Sequence, residues 1–522
     1  MAVSQGAQYS KTIRANVVTN LIRTLAMTIL SFVTFPYVTR ALGEQTFGLY
    51  TWANTFVYYF LILAKISIPN LAIRECSKVK NDKEKLSHLT QQFFLLQGIM
   101  TVISFVLMAT LVLSIASLRE NGGLIFLLSI NFLIGVFSFE WIYVVLEKHF
   151  YITIRSVVLI AFAALLTFAF IKVQNGYLDE NGVFVNPSLN EVHIYALIAI
   201  STTIFTAILN TCLLPRYISL KKTAPYDFKP FIKPLLSMFF VSMALTLYNQ
   251  TDEFLLGYID SSKAAVGSYS VGVKGIDIII TLITSLFVVF MPRASFYYEK
   301  ENKVFFQNLL NYSFGIAFFI AIPAIATMSA LSHPITSLIS GSELSNQYQE
   351  SSLVLSILCL TMLTYSLGDS IYTQILLPMK KEKFYFYGLS GGVLLNIGLS
   401  LALALTVFKN QPAIGVGIAT MVTDLLLLVF LIAVTKKYSV PAIFNWNNAK
   451  IVGMGLLIGV LTYFLSPLLI NALPYKGDEL WKANLIALIV MVAGDAIFYL
   501  GGLALLKEHL VSSLLHRRSE EA

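Results

Sequence analysis

Long apolar stretches recur along the whole chain, and this pattern constrains the fold more than any other feature. Hydrophobic residues make up 57% of the 522 residues, whereas charged residues make up only 12%. A helix of about 20 predominantly apolar residues crosses the roughly 30 Å hydrocarbon core of a bilayer. The sequence therefore predicts an all-α polytopic membrane protein, because barrel strands would show short alternating segments instead.

We predict fourteen transmembrane helices joined by short loops. The first apolar segment is too long for a signal peptide, so we expect it to remain as a membrane span. The fourteen spans lie at approximately 13–38, 47–73, 91–115, 123–146, 152–172, 192–214, 232–257, 264–291, 305–331, 351–378, 384–408, 412–435, 449–469 and 482–506.

The distribution of positive charge predicts the orientation of the chain. Most of the 36 lysines and arginines lie in loops that share one side of the membrane when the N-terminus is cytoplasmic. Cytoplasmic loops carry such an excess of lysine and arginine. An even number of spans then places both termini in the cytoplasm. The same distribution accounts for the net charge of +8 without any anionic ligand.

Two distant stretches of the chain resemble each other. Within Phe35–Asn54, the residues Phe-Gly-Leu-Tyr at 47–50 align with Val-Gly-Ser-Tyr at 266–269, within Tyr258–Gly275. Each stretch precedes an apolar helix that ends near a proline and an arginine. Internal repeats of this kind are typical of transporters built from two related halves.

The repeat predicts how the fourteen helices are divided. Spans 1–6 and 7–12 form two pseudo-symmetric six-helix lobes, and two C-terminal helices follow them. The basic loop between the lobes is predicted to be a cytoplasmic linker. The predicted ranges are 1–214 for the N-lobe, 215–233 for the linker, 234–437 for the C-lobe, 438–506 for spans 13 and 14, and 507–522 for a cytoplasmic tail.

Three cations lie inside the predicted spans, namely Arg23, Lys65 and Lys274. A charge at the bilayer centre costs roughly 2.5–3.5 kcal/mol on insertion scales, so such residues face a cavity or a partner. We predict that they bind substrate, together with polar residues of neighbouring helical turns, namely Asn20, Asn54, Tyr58 and Asn249. Two alternatives stay open. Lys274 could pair with Asp277 three residues later, and Lys65 could extend to the cytoplasmic surface.

Several carboxylates also lie deep in the predicted spans. Carboxylates at such positions are candidates for coupling to Na⁺ or H⁺, or for pairing with the buried cations. The four that we single out are Asp252, Asp277, Asp369 and Asp424. Glu140 also lies deep in a span, and Asp495 stays unassigned because its own helix face carries few polar residues.

Motifs of enzymes and of metal sites are missing from the sequence. The chain has no G-x-x-x-x-G-K-[ST], no G-x-S-x-G and no H-E-x-x-H pattern. Its three cysteines are scattered, and its six histidines show no metal-ligand spacing. We therefore predict a secondary transporter rather than an enzyme, with no metal site and no nucleic-acid partner. We predict no cofactor, and Na⁺ and H⁺ are the candidate coupling ions.

Several segments resemble one family of exporters. These are Pro36–Tyr50, Ile68–Glu75, Phe139–Lys148, Val266–Lys274, Met291–Ser295 and Gln374–Lys383. Together they resemble Wzx-type polysaccharide flippases of the multidrug/oligosaccharidyl-lipid/polysaccharide exporter superfamily, whose relatives include the lipid II flippase MurJ and the MATE exporters.

The resemblance implies a function for the chain. It implies two six-helix bundles around a cavity that opens alternately to either side of the bacterial cytoplasmic membrane. The implied substrate is an undecaprenyl-diphosphate-linked oligosaccharide, which moves from the inner to the outer leaflet. The implied partners are membrane lipids and the polysaccharide polymerase machinery. Arginine and lysine suit the acceptor oxygens of a diphosphate.

Two other functions stay open from the sequence. A MATE-like ion-coupled exporter of small molecules would need a net acidic cavity, which the cations in spans 1, 2 and 8 disfavour. A membrane glycosyltransferase, polymerase or ligase would need a larger outer loop than the segment near 174–192 offers.

Overall fold

The computed structural model describes residues 2–171, 177–178, 184–185, 190–219, 225–341, 347–476, 479–508 and 511–512. The side chains of 2–18, 20–22, 177–178, 184–185, 190 and 288 lie outside this description. Consequently the side chain of Asn20, part of the predicted linker and most of the predicted tail are not described.

The chain divides into two compact units. The first comprises Met1–Leu42 and Leu49–Phe254, and the second comprises Gly43–Gly48 and Leu255–Ala522. The lobes predicted from the sequence repeat stay a prediction.

The first unit is formed almost entirely by helices. Two short antiparallel strands, β1 (Tyr177–Leu178) and β2 (Phe184–Val185), follow its seventh helix. The helices are α1 (Ala2–Lys65), α2 (Ile68–Ser77), α3 (Lys83–Ser114), α4 (Ala116–Glu120), α5 (Gly122–Gly135), α6 (Glu140–Val145), α7 (His149–Phe170), α8 (Asn190–Leu213) and α9 (Lys229–Ile259), the last of which ends in the second unit.

The second unit is also helical. Turns of π-helix at Tyr372–Leu376 and Leu403–Val407 continue two of its helices. The helices are α10 (Ala264–Glu299), α11 (Lys303–Ala330), α12 (Ser332–Ser340), α13 (Ser351–Leu358), α14 (Thr361–Ile371), α15 (Glu382–Ala402), α16 (Pro412–Ile443), α17 (Trp446–Ala472) and α18 (Leu480–Leu505).

The helical, membrane-spanning fold class is confirmed, but the predicted count of fourteen spans is not. Among the described residues, 13 helices are long and apolar enough to cross a membrane. One of them, Arg23–Ser77, is 55 residues long and contains both the first and the second predicted span. Gly43 interrupts α1 between these two spans with φ 70° and ψ 168°, a conformation that favours glycine. The fourteenth span therefore depends on whether α1 crosses the membrane twice.

Apolar side chains cover much of the outer helix surface, as expected for a protein solvated by lipid. Leu394, Leu468 and Ile497 are large apolar residues that the structure leaves exposed. Lipid tails are as apolar as leucine, so helices in a bilayer gain little from burying such residues. Packing inside the first unit instead centres on α2, α3 and α6, where Leu71, Phe93 and Ile142 are fully buried.

Within the second unit, Gly43–Gly48 of the first copy of the repeat lies against the second copy. A Cβ atom added at Gly267 would lie 2.3 Å from the main-chain oxygen of Glu44. A Cβ atom added at Gly48 would lie 1.9 Å from the main-chain oxygen of Lys263. The side chain of Ser268 also hydrogen-bonds to Glu44. The repeated glycine is thus the residue that lets the two backbones approach.

Candidate functional site

A salt bridge between Arg23 and Glu140 lies at the centre of the candidate site in the first unit. The Arg23 Nη1 atom lies 3.2 Å from Glu140 Oε1, and the two side chains are 27% and 40% exposed. Glu140 is the first residue of α6, and it follows Phe139, whose φ is 44°. A helix N-terminus stabilises a nearby carboxylate, so this break allows a charge at this depth.

A second arginine holds the same carboxylate from inside the protein. Arg155 lies on α7 with its side chain only 3% exposed, and its Nη2 atom is 3.1 Å from Glu140 Oε2. Its Nη1 atom donates to Asn210 Oδ1 at 2.7 Å. Among the described residues, the buried Arg155 Nε has no hydrogen-bond partner. Arg155 is not among the predicted site residues, because the lysine and arginine pattern assigns it to the cytoplasmic loops.

The buried amide of Asn210 fixes Arg155 in place. Tyr151 donates its hydroxyl to Asn210 Oδ1 at 2.8 Å, and Tyr143 donates to the Asn210 main-chain oxygen at 2.6 Å. Asn210 itself donates to the main-chain oxygen of Ser138. A buried hydrogen-bond network of this kind restricts its side chains to one arrangement. Arg155 is therefore a fixed charge, whereas Arg23 is more exposed.

Lys65 and His149 complete the cluster. Lys65 is exposed at the end of α1, and it interacts electrostatically with Glu140. His149, the first residue of α7, interacts with Arg23. Arg23 and Arg155 thus contact Glu140 and Lys65 interacts with it electrostatically, so these three cations outnumber the one carboxylate. We call Arg23, Lys65, Glu140, His149 and Arg155 the cationic cluster.

The cationic cluster can bind a polyanion. Arginine presents several donors in a rigid fork, and lysine adds a compact charge. Hydrogen bonds between such groups and phosphate oxygens are among the stronger ones in proteins. Glu140 pairs with both guanidinium groups and so partly compensates their charge.

The other predicted substrate residues of the first unit lie on α1 and α9. Asn54 is half-buried, while Tyr58 and Asn249 are exposed. Close by, Thr55 donates its hydroxyl to Glu253 Oε2 at 2.8 Å. The role of Asn54, Tyr58 and Asn249 in substrate binding stays a prediction.

Lys274 belongs to the second unit and pairs on its own helix. Its Nζ atom lies 3.1 Å from Asp277 Oδ2, one turn further along α10, and both side chains are largely exposed. This is the pairing that the sequence offered as the alternative to substrate binding.

The remaining predicted carboxylates occupy different surroundings. Asp252 is buried on α9 in the first unit. In the second unit, Asp369 is half-buried and Asp424 is buried, and both interact electrostatically with Tyr385. Among the described residues, no group of three or more His, Cys, Asp or Glu side chains is arranged to hold a metal ion. The role of Asp252, Asp369 and Asp424 in ion coupling stays a prediction.

Asp495, which the sequence left unassigned, accepts hydrogen bonds from two other helices. Thr327 of α11 donates to its Oδ2 atom at 2.8 Å. Thr462 of α17 lies 2.8 Å and 2.7 Å from its two carboxylate oxygens. These partners lie 168 and 33 residues away in sequence, so no local pattern reveals them.

Solved transporter structures share this fold. The lipid II flippase MurJ, in an inward closed conformation, has a TM-score of 0.54 and 14% identity over 95% of this chain and 100% of that one. An inward-facing multidrug resistance MATE family transporter of the MOP superfamily has a TM-score of 0.58 and 14% identity over 81% and 99%. The chain therefore has the all-helical fold of these transporters, as predicted.

Sequence comparison identifies the family. The pattern of the polysaccharide biosynthesis protein family matches residues 13–297, and the MatE pattern matches residues 237–402. Because the first match covers more than half of the chain, the chain belongs to the polysaccharide biosynthesis protein family. It is a multi-pass helical membrane protein whose fold is that of these transporters.

One curated relative is described as an O-antigen transporter, from Escherichia coli strain K12. It is 21% identical over 243 residues, which are 46% of this chain and 55% of the relative. The chain thus spans about half the length of the curated relative that it matches.

Proposed function

We propose that this protein moves an undecaprenyl-diphosphate-linked oligosaccharide from the inner to the outer leaflet of the bacterial cytoplasmic membrane by alternating access. The observation that carries the proposal is the cationic cluster, in which two arginines contact Glu140 and Lys65 interacts with it electrostatically. A diphosphate is the anion of such a lipid, and its oxygens suit arginine and lysine. The names of the relatives, an O-antigen transporter and a lipid II flippase, support the same substrate class.

Glu140 gives the cluster a way to bind and to release its anion. The diphosphate displaces Glu140 from Arg23, which is 27% exposed, while Arg155 stays against Asn210. When the lipid leaves, Glu140 pairs with Arg23 again and lowers the cost of an uncompensated charge within the membrane. Competition between Glu140 and the diphosphate for Arg23 lowers the affinity for the lipid. A transporter needs a moderate affinity in order to release its substrate.

Substitution of Arg23 tests the proposal directly. Arg23→Ala removes the exposed guanidinium, so we expect transport of the lipid-linked oligosaccharide to fall about tenfold or more, as loss of a charge-assisted contact implies. Transport is measured as surface polysaccharide in cells and as movement of the labelled lipid across proteoliposome membranes. Arg119→Ala is the matched control, because Arg119 is an exposed arginine at the end of the short helix α4. Normal transport by Arg23→Ala would refute the assigned role.

Export of small molecules remains a second candidate, because the MatE pattern matches residues 237–402. The positive surplus of the cationic cluster disfavours it, since exported cations need an acidic cavity. Drug sensitivity of a deletion strain, with normal surface polysaccharide, would favour this alternative.

Coupling, orientation and partners form the remaining part of the proposal. We propose that Asp369 and Asp424, which both interact with Tyr385, are the first residues to examine for coupling to Na⁺ or H⁺. Both termini face the cytoplasm in this proposal, in keeping with the lysine and arginine distribution. The polymerase machinery is the proposed partner that receives the translocated substrate.

A further inference from the structure

A cavity of about 530 Å³ lies in the second unit, away from the residues used in the proposed function. It is bounded by the first turns of α11, by the start of α17 and by Glu508, which follows α18. Its volume falls within the range of ordinary ligand sites, roughly 300–1,000 Å³.

The described lining of this cavity is rich in amides and aromatic rings and includes no cationic side chain. Five of its residues are asparagines, and Tyr312 and Trp446 add two aromatic rings. Glu508, which is 1% exposed, is the one carboxylate in the lining. Since none of the described lining residues is a lysine, arginine or histidine, none of them compensates a phosphate. Amides both donate to and accept from hydroxyl groups.

Two of the asparagines build the wall and two are available to a ligand. Asn448 donates its amide to the main-chain oxygens of Ala442 and Ile443, and Asn445 accepts from the Asn448 main-chain nitrogen at 2.9 Å. Within the described part of the chain, the side chains of Asn308 and Asn447 make no hydrogen bond. The wall is therefore held in place while these two amides can turn to a ligand.

The cavity also lies at the ends of candidate membrane spans. Candidate membrane spans begin at Lys303 and at Trp446, and another ends at Leu505. Trp446 is 77% exposed, Phe444 is 70% exposed and Leu505 is 86% exposed. Exposed aromatic residues at the ends of spans are typical of the membrane interface. A headgroup in the cavity would thus leave its acyl chains against apolar surface.

From these observations we propose that the cavity binds the uncharged sugar headgroup of a glycolipid. Hydroxyl groups of the sugar hydrogen-bond to Asn308, Asn447 and Glu508, and its apolar face packs on Tyr312 and Trp446. Anionic lipids are disfavoured by Glu508. Zwitterionic lipids are disfavoured because their phosphate meets no cation among the described lining residues. This inference is independent of the proposed diphosphate site.

Native mass spectrometry of the full-length protein tests this inference. The protein is purified in lauryldimethylamine oxide, which has no sugar to compete, and is mixed with equal amounts of three lipids that carry the same acyl chains. These are monoglucosyldiacylglycerol, phosphatidylethanolamine and phosphatidylglycerol. We expect the glucosyl lipid to remain bound in preference to the other two. In Asn308→Ala/Asn447→Ala, its affinity should fall about tenfold, as the loss of two neutral hydrogen bonds implies.

Three further variants make the result specific. Asn410→Ala, at an exposed asparagine between α15 and α16, should bind the glucosyl lipid like the wild type. Trp446→Ala should weaken binding without loss of the fold, because this side chain is largely exposed. Arg23→Ala should keep the glucosyl lipid, which separates this site from the proposed transport site. Preferential retention of either phospholipid, or unchanged glucosyl-lipid binding by the double variant, would overturn the inference.

Discussion

At the scale of single residues, Asp495 shows how a carboxylate can persist in an apolar helix. It is 9% exposed on α18, and threonines of α11 and α17 donate to it. Hydrogen bonds between membrane helices contribute about 0.6 kcal/mol on average. Asp495 therefore links three helices of the second unit through several small contributions.

Removal of this side chain should destabilise the protein. Asp495→Ala loses the interhelical hydrogen bonds and leaves a cavity, so we expect the free energy of unfolding to fall by about 1–2 kcal/mol. Asp495→Asn keeps the volume and one acceptor oxygen, and it should stay within about 0.5 kcal/mol of the wild type. Thermal unfolding in detergent measures both. An alanine variant as stable as the asparagine variant would contradict the linking role of Asp495.

Glu350 lies outside the membrane spans, and its ionisation destabilises the folded protein. Burial, together with the nearby charges of Glu44 and Asp260, raises its pKa from 4.5 to about 7. Opposing this, the Ala413 main-chain nitrogen at the start of α16 donates to Glu350 Oε2 at 2.9 Å. Desolvation outweighs the hydrogen bonds, so the folded state binds the proton more tightly than the unfolded state does.

Stability should therefore fall as the pH rises from 4.5 to about 7, because the unfolded state binds fewer protons there. Glu350→Gln is neutral and keeps an acceptor for Ala413, so it should flatten this slope and stabilise the protein at pH 8. The gain should be on the order of 1–2 kcal/mol, since partial exposure screens the charge. Melting temperatures between pH 5 and pH 8 measure the slope. Glu120→Gln, at an exposed position, is the control. An unchanged slope in Glu350→Gln would show that Glu350 does not cause the pH dependence of stability.

At the scale of elements, close backbone approach decides how α10 packs. A Cβ atom at Gly267 would lie 2.3 Å from the main-chain oxygen of Glu44, and a main-chain oxygen cannot turn away as a side chain can. Gly267→Ala should lower the free energy of unfolding by about 1–3 kcal/mol, as overpacking does. Gly398→Ala is the matched control, because no atom lies within 4 Å of its added Cβ. Equal melting temperatures for the two variants would show that the contact is not tight.

The elements also show where sequence reasoning succeeded. The pattern of apolar segments predicted nearly every span, because each segment must satisfy its own backbone as a helix in lipid. The repeat pointed to Gly48 and Gly267, which the structure brings together. The same reasoning missed Arg155. Its position near the start of α7 suggested a cytoplasmic residue, yet the side chain is buried against Asn210 of α8.

At the scale of the whole molecule, the transmembrane topology depends on α1, which contains two of the predicted spans. If it does, the break at Gly43 lies outside and the turn between α2 and α3 lies inside. In a cysteine-free background, Gln45→Cys should then react with a membrane-impermeant maleimide in intact cells. Lys80→Cys should react only after the membrane is opened. Both residues are suitable, because Gln45 is exposed and Lys80 lies in a turn with an exposed side chain.

Labelling of Asn410→Cys provides the control from the second unit, because this loop also lies outside in the same orientation. Protection of Gln45→Cys from both sides would mean that α1 forms one span, and the count of fourteen would then be wrong. Reaction of Lys80→Cys in intact cells would show that the orientation is opposite to the predicted one.

The sequence by itself determined that this chain is a helical membrane protein with charges inside the bilayer. Both properties follow from local rules: a run of apolar residues must span as a helix, and a cation within it needs a partner. Only the tertiary structure decided which partner each charge has. Arg23 meets Glu140 across 117 residues of sequence, whereas Lys274 meets Asp277 on its own helix. The difference arises because helix packing brings together residues that are distant in the chain, and hydropathy carries no information about which faces will meet.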